Sequence, residues 1–173
     1  MLYFKFLSII IVFFMTNLTF GQYAATDMRH YFKFEASVLR YYTSTVSDHS
    51  HDYSFHDNGK QFIAVWGWDF DEKKYLGFGA GYSDFENAKG LSAFGEINFF
   101  VSNSYLNPYI GARLGYSRFK PEVLDSQNDI TATFLTGLQI RFGVYSYTAL
   151  YLQTGLLYQQ KTLFFPLTLG IKF

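Results

Sequence analysis

The stretch "YLGFGAGYS", Tyr75–Ser83, is where the fold is decided. Read as a strand, it places Leu76, Phe78, Ala80 and Tyr82 on one face and Tyr75, Gly77, Gly79, Gly81 and Ser83 on the other, because successive side chains point to opposite sides. A strand with water on its second face is expected to carry Lys, Glu, Thr or branched residues there, since glycine weakens a strand and packs against nothing. A row of glycines instead fits a crowded interior, which leaves the apolar row pointing outward.

Period two recurs along the chain. Phe32, Phe34, Ala36 and Val38 alternate with Lys33, Glu35 and Ser37. In Gln61–Asp71, Phe62, Ala64, Trp66, Trp68 and Phe70 oppose Ile63, Val65, Gly67 and Asp69. After Tyr75–Ser83, the stretch Ser92–Ser102 sets Ala93, Ile97, Phe99 and Val101 against Ser92, Glu96 and Asn98. Pro108–Ser117 sets Ile110, Ala112, Leu114 and Tyr116 against Gly111, Arg113, Gly115 and Ser117. The sixth stretch turns Ile130, Ala132, Phe134, Leu138, Ile140 and Phe142 one way and Thr131, Thr133, Gly137, Gln139 and Arg141 the other, with Thr136 its one blemish. In Tyr147–Gln159, Leu150, Leu152, Leu156 and Tyr158 oppose Tyr151, Gln153, Gly155 and Gln159. Last, Leu163, Phe165, Leu167, Leu169, Ile171 and Phe173 oppose Pro166, Thr168, Gly170 and Lys172. The spacing therefore predicts eight consecutive antiparallel strands of about ten residues each. Asp71–Lys74, Asn103–Leu106 and Gly143–Ser146 read as short turns at one end. Thr43–Lys60, Phe85–Leu91 and Arg118–Asp129 read as longer polar loops at the other, and the connection near Gln160–Thr162 is brief.

Composition narrows the surroundings. Of 173 residues, 16% are charged and 22% aromatic, with 15 Tyr and 21 Phe; an average soluble domain is about 25% charged. The net charge of zero gives no field to recruit nucleic acid. The absence of cysteine excludes disulfides, thiolate metal sites, a Cys nucleophile and a lipid anchor on an N-terminal Cys. Lys5, the 15-residue run "FLSIIIVFFMTNLTF" and the small residues Thr19 and Gly21 before Gln22 make residues 1–21 a cleavable secretory signal peptide. That run is short of the roughly 20 residues a spanning helix needs. Residues 22–173 are then one domain holding 14 − 1 = 13 Lys and Arg and 14 Asp and Glu, since only Lys5 is lost.

Two architectures share this alternation, a soluble barrel or sandwich with its apolar face inward and a membrane barrel with that face toward lipid. Gly67, Gly77, Gly79, Gly81, Gly111, Gly115, Gly137, Gly155 and Gly170 all lie on the less apolar face. Small residues there suit the narrow lumen of an eight-stranded barrel. A tilted strand of about 9–11 residues crosses a membrane, and closure supplies the backbone partners that lipid cannot. Trp68, Phe70, Tyr75, Tyr105, Phe142, Tyr147 and Phe173 collect toward the short turns, and Tyr42, Tyr82, Tyr116 and Tyr158 toward the longer loops, as two interfacial girdles would.

On these residues the chain resembles the small outer-membrane barrels of the OmpA/OmpX-like family. The resemblance implies an all-β, eight-stranded, antiparallel up-and-down transmembrane β-barrel in the outer membrane of a Gram-negative bacterium, monomeric and without cofactor. Its implied partners are outer-membrane lipid and lipopolysaccharide, with the barrel-assembly machinery during biogenesis. Leu167, Leu169, Ile171 and the aromatic Phe173 resemble the family's C-terminal assembly signal.

With the apolar face outward, Lys33, Glu35, Asp69, Glu96, Arg113, Arg141 and Lys172 point into the lumen. A turn centred on Ser104 and Tyr105 sets Glu96 directly opposite Arg113, where cross-strand Cβ atoms lie about 4.5–5.5 Å apart. Glu35, Asp69, Arg141 and Lys172 are expected to form a second cluster nearer the short turns, with Glu35 meeting Lys172 when the last strand closes on the first.

No strong catalytic motif is present. The glycines of "GFGAG" alternate within a strand with no helix following, so a phosphate-binding loop is excluded. Some eight-stranded outer-membrane barrels modify lipid A, but neither a His-x-Ser pair on a strand nor an amphipathic N-terminal helix is found. The expected role is non-enzymatic, in envelope integrity or in surface interaction through the first and third loops; a narrow pore for small solutes or ions is the alternative, and a lipid A-modifying enzyme the second. The first loop carries His49, His51 and His56 beside Asp48, Asp52 and Asp57, ligand types that suit zinc, yet on no fixed scaffold. Calorimetric titration of the protein with zinc at micromolar concentration is therefore expected to give no heat.

Overall fold

The computed structural model describes residues 29–44, 57–70, 73–102, 104–121, 126–142 and 148–173. The signal peptide expected over residues 1–21, the three histidines of the first loop and Tyr147 lie outside these residues. Eight strands follow in order: β1 (Arg29–Ser44), β2 (Gly59–Phe70), β3 (Lys74–Phe85), β4 (Ala88–Phe100), β5 (Leu106–Pro121), β6 (Gln127–Arg141), β7 (Ala149–Gln159) and β8 (Thr162–Lys172). Each pairs antiparallel with the next and β8 pairs with β1, closing the sheet into a barrel. At the seam Phe32 and Phe173 exchange both backbone hydrogen bonds, at 2.8 and 2.9 Å. Further along it the register shifts between Tyr41 and Thr43, and Pro166 stands opposite Leu39 without an N–H to give. The end where β1 begins and β8 ends is called proximal below, the other distal.

The two faces are inverted relative to a water-soluble domain. Leu114, Leu167 and Phe78 face outward and are 67%, 59% and 54% exposed, whereas Lys33, Glu96 and Arg113 are 1%, 2% and 7% exposed inside. An apolar belt of this extent in water would be an aggregation surface; hydrocarbon is the solvent that accepts it. Where Thr136 and Thr154 interrupt the belt, their hydroxyls donate to the backbone carbonyls of Tyr109 and Pro166, so little polarity is left facing outward.

The strands run 11–16 residues, longer than the periodicity indicates. Phe85–Leu91, read as a long loop, is strand on both sides of a turn at Glu86 and Asn87, and Arg118–Asp129 narrows to a connection at 122–126. The reason is visible in the register: Lys60, Asp84, Lys89 and Lys120 form one paired row at the distal end. Outward residues become charged there, so apolar alternation stops while backbone pairing continues. The turn at Gln160 and Lys161 holds both residues at positive φ, 50° and 56°, the conformation that a two-residue hairpin of right-twisted strands requires.

Two glycines show what the lumen face demands. A Cβ on Gly67 would sit 2.7 Å from both the Gly77 Cα and the Tyr31 hydroxyl, because the Tyr31 ring lies over this cross-strand glycine pair. A Cβ on Gly79 would come 2.5 Å from the ring of Phe94, its register partner. Gly95, by contrast, faces outward and has nothing within 4 Å of that position. Gly67→Ala is expected to destabilise the barrel by about 1–3 kcal/mol, as overpacking does. Gly95→Ala is expected to stay within about 0.5 kcal/mol. Urea titration of barrels refolded into lipid vesicles compares the two.

Candidate functional site

The lumen is filled in three layers. In the middle, β1 contributes Lys33 and Glu35, β4 contributes Glu96 and Asn98, β5 contributes Arg113 and β7 contributes Gln153. Arg113 Nε donates to Glu96 Oε2 at 2.5 Å and Arg113 Nη2 donates to both carboxylate oxygens of Glu35 at 2.7 Å. Lys33 Nζ lies 2.8 Å from Glu35 Oε1 and donates to Glu96 Oε1. Asn98 Nδ2 donates to Glu96 Oε1 at 2.6 Å and Gln153 Nε2 to Glu35 Oε2 at 2.9 Å, while the Tyr109 hydroxyl donates to Gln153 Oε1. Two cations and two anions thus cancel in a site shut off from solvent. Each carboxylate oxygen of Glu35 and Glu96 already accepts at least one hydrogen bond, so both carboxylates are committed to the cluster. Among the described residues no group of three or more His, Asp or Glu could hold a metal ion.

The proximal layer is aromatic. Tyr31 and Tyr75 lie 5.3 Å apart between ring centroids, Tyr75 and Phe100 4.3 Å, Phe100 and Tyr109 5.0 Å, and Tyr109 and Tyr151 5.6 Å, a continuous run of rings across the lumen. Lys172 Nζ sits 3.5 Å from the Tyr75 ring centroid and 3.6 Å from Asp69 Oδ2. A cation over a ring face is attracted by the ring quadrupole, which keeps this lysine stable beside only one carboxylate. The distal layer buries Leu39, Phe85, Phe119, Leu157 and Phe164, with Phe85 5.8 Å from Phe119 and 5.3 Å from Phe164. Between it and the ion cluster remains a cavity of about 10 Å³ lined partly by Ser37, Gln61, Ser92, Thr131 and Thr168. That is space for about one water molecule.

The structure gathers the sequence-predicted charges differently from the expected two clusters. Glu96 and Arg113 are register partners, and both join Lys33. Glu35 does not meet Lys172: the β1–β8 register sets Glu35 opposite Gly170 and Lys172 opposite Lys33. No turn fixes that seam register, and the lumen is narrow enough for Arg113 to reach Glu35 from across it. Asp69 and Lys172 stay together at the proximal end, where Arg141 closes β6 opposite Ala149. Leu167, Leu169 and Ile171 face outward on β8 and Phe173 is half-exposed beside Phe32.

The sequence reading also missed most of the rings. It set Tyr75 on the glycine face yet also counted it in the girdle toward the short turns; Tyr75 is buried in the lumen. Parity is the deciding signal, and it extends to two rings left unassigned: Tyr31 and Tyr109 each stand two residues before a lumen residue, as Tyr75 does before Gly77 and Tyr151 before Gln153. His30, the one histidine among the described residues, points outward and stacks on Trp66 at 5.9 Å and 7°.

At the level of sequence no family model matches the chain, and no curated protein does. Solved structures match its fold. The Neisserial surface protein A aligns at TM-score 0.68 and 15% identity, covering 84% of this chain and 97% of that one. The N-terminal β-barrel domain of Pseudomonas aeruginosa OprF aligns at TM-score 0.59 and 15% identity, covering 85% and 100%. The outer-membrane enzyme PagL aligns at TM-score 0.50 and 16% identity, covering 81% and 97%. The fold is that of the small eight-stranded outer-membrane barrels.

Arg113→Met leaves Glu35 and Glu96 with Lys33 alone and is expected to cost about 3–5 kcal/mol, as removing one side of a buried pair does. Adding Glu96→Gln to that variant is expected to restore part of the loss, with a coupling of about 0.5–3 kcal/mol in a double-mutant cycle. Urea unfolding of the four proteins in vesicles measures it.

Proposed function

We propose that this protein is a monomeric, non-enzymatic barrel of the outer membrane, exported through a cleaved signal peptide and assembled through its C-terminal strand. Its role is in envelope integrity or in contacts made by the first and third loops. The observation that carries this reading is the stacked lumen: a neutral ion cluster between two layers of buried rings, with space for only about one water between the cluster and the distal layer. A porin leaves an aqueous channel, which needs many more strands. The layered filling speaks against a pore for small solutes, and no gathering of serine, histidine and carboxylate among the described residues supports the enzyme reading.

The expected outcome in planar bilayers is the absence of steady conductance of porin size; steady conductance of that size overturns the sealed-lumen reading. Cell fractionation is expected to place the protein with the outer membrane, migrating faster on gels before heating than after. Lipid A from overexpressing cells is expected to keep its mass.

A further inference from the structure

The two strands that meet at the seam are held to the rest of the barrel unequally. From β1, Glu35 accepts two hydrogen bonds of 2.7 Å from the Arg113 guanidinium on β5, and Lys33 donates to Glu96 on β4. These bonds cross the lumen and join residues 78 and 63 positions apart. From β7 comes one neutral bond, Gln153 Nε2 to Glu35 at 2.9 Å. Among the described residues β8 adds no charge to this cluster, because it presents Gly170 directly opposite Glu35. Thr168 of β8 shares a hydroxyl bond of 2.6 Å with Ser37, but that bond lies within the seam itself. Lys172 rests at the proximal end, 3.6 Å from Asp69, beyond the 2.7–2.9 Å of a charge-assisted hydrogen bond.

An ion taken out of water without its partner carries a heavy desolvation cost. Lys33, Glu35, Glu96 and Arg113 are all buried, so each must be matched by the time the lumen dries. That match requires β1, β4 and β5. What β8 brings to the middle of the lumen is a glycine and a hydroxyl, and no ion waits for either. The cluster also closes the shorter circuit, from β1 to β5, whereas the seam closes the circuit from β1 to β8, and closure becomes more costly as the closed length grows. We propose that the ion cluster is a latch that curls β1–β5 into an arch before the seam forms, so that β8 is the last strand to dock. β1 is then already fixed when β8 arrives, and the same latch keeps it in place whenever β8 detaches.

Pulsed hydrogen exchange gives the order directly in the unmodified chain, refolded from urea into lipid vesicles and read by peptide mass spectrometry. Peptides of β2–β5 are expected to gain protection roughly fivefold or more faster than those of β8. Simultaneous protection overturns the proposal, as does earlier protection of β8. Two cluster variants assign the order to the latch: Lys33→Gln with Glu96→Gln, which removes one charge of each sign, and Glu35→Gln. Each is expected to slow the early protection roughly fivefold and to leave the unfolding rate within about twofold, as for an interaction already made in the folding transition state. Thr168→Val with Lys172→Met is expected to do the converse, raising the unfolding rate several-fold and leaving the early protection unchanged. Early protection that neither cluster variant slows overturns the latch. So does a seam variant that slows it as much as the cluster variants do.

Discussion

Hydrocarbon offers no partner to a backbone N–H or C=O, and that one constraint organises the molecule. It forbids an open edge, so β8 must find β1, and the reciprocal bonds between Phe32 and Phe173 are where the sheet stops having ends. Closure with eight strands then leaves a lumen only wide enough for side chains. Once the outer face has been surrendered to lipid, the charged groups in the middle of the strands, such as Lys33, Glu35, Glu96 and Arg113, must be accommodated in that small space.

The lumen resolves this by separating kinds of group. Lys33, Glu35, Glu96 and Arg113 satisfy one another in the middle, where an unmatched charge would be most costly. Rings occupy the layers above and below and shield the cluster, and the glycines facing them are what make the rings fit. Tyr31 over Gly67 and Phe94 over Gly79 are the same device on neighbouring strands, a large side chain housed by the absence of one opposite. The glycine row that distinguishes Tyr75–Ser83 is thus half of a packing arrangement whose other half lies on β1 and β4.

What could be read from the sequence follows the reach of local rules. Strand number, order and facing were legible because the period of two is a property of each strand alone. The opposition of Glu96 and Arg113 was legible because a short turn fixes the register of β4 against β5. Glu35 lay beyond such reasoning: its contact with Arg113 spans the lumen, and its offset from Lys172 depends on how the seam closes. Tyr75 was counted both on the glycine face and in the girdle because an aromatic near a strand end suits either, and only its parity with Gly77 decides for the lumen. The distal strand ends were read as loops because Lys60, Asp84, Lys89 and Lys120 erase the apolar signal without erasing the ladder.

The β1–β8 seam is also where the ladder is least regular. Tyr42 is the extra residue where the register shifts, and Pro166 withholds a donor nearby. Every other adjacent pair of strands is tied by a connection of the chain itself, whereas these two are separated by almost the whole sequence and share only their sideways bonds. Mechanical load applied to β8 would therefore unzip this joint bond by bond before it strained any hairpin, giving the cylinder a built-in tear line that runs its full height.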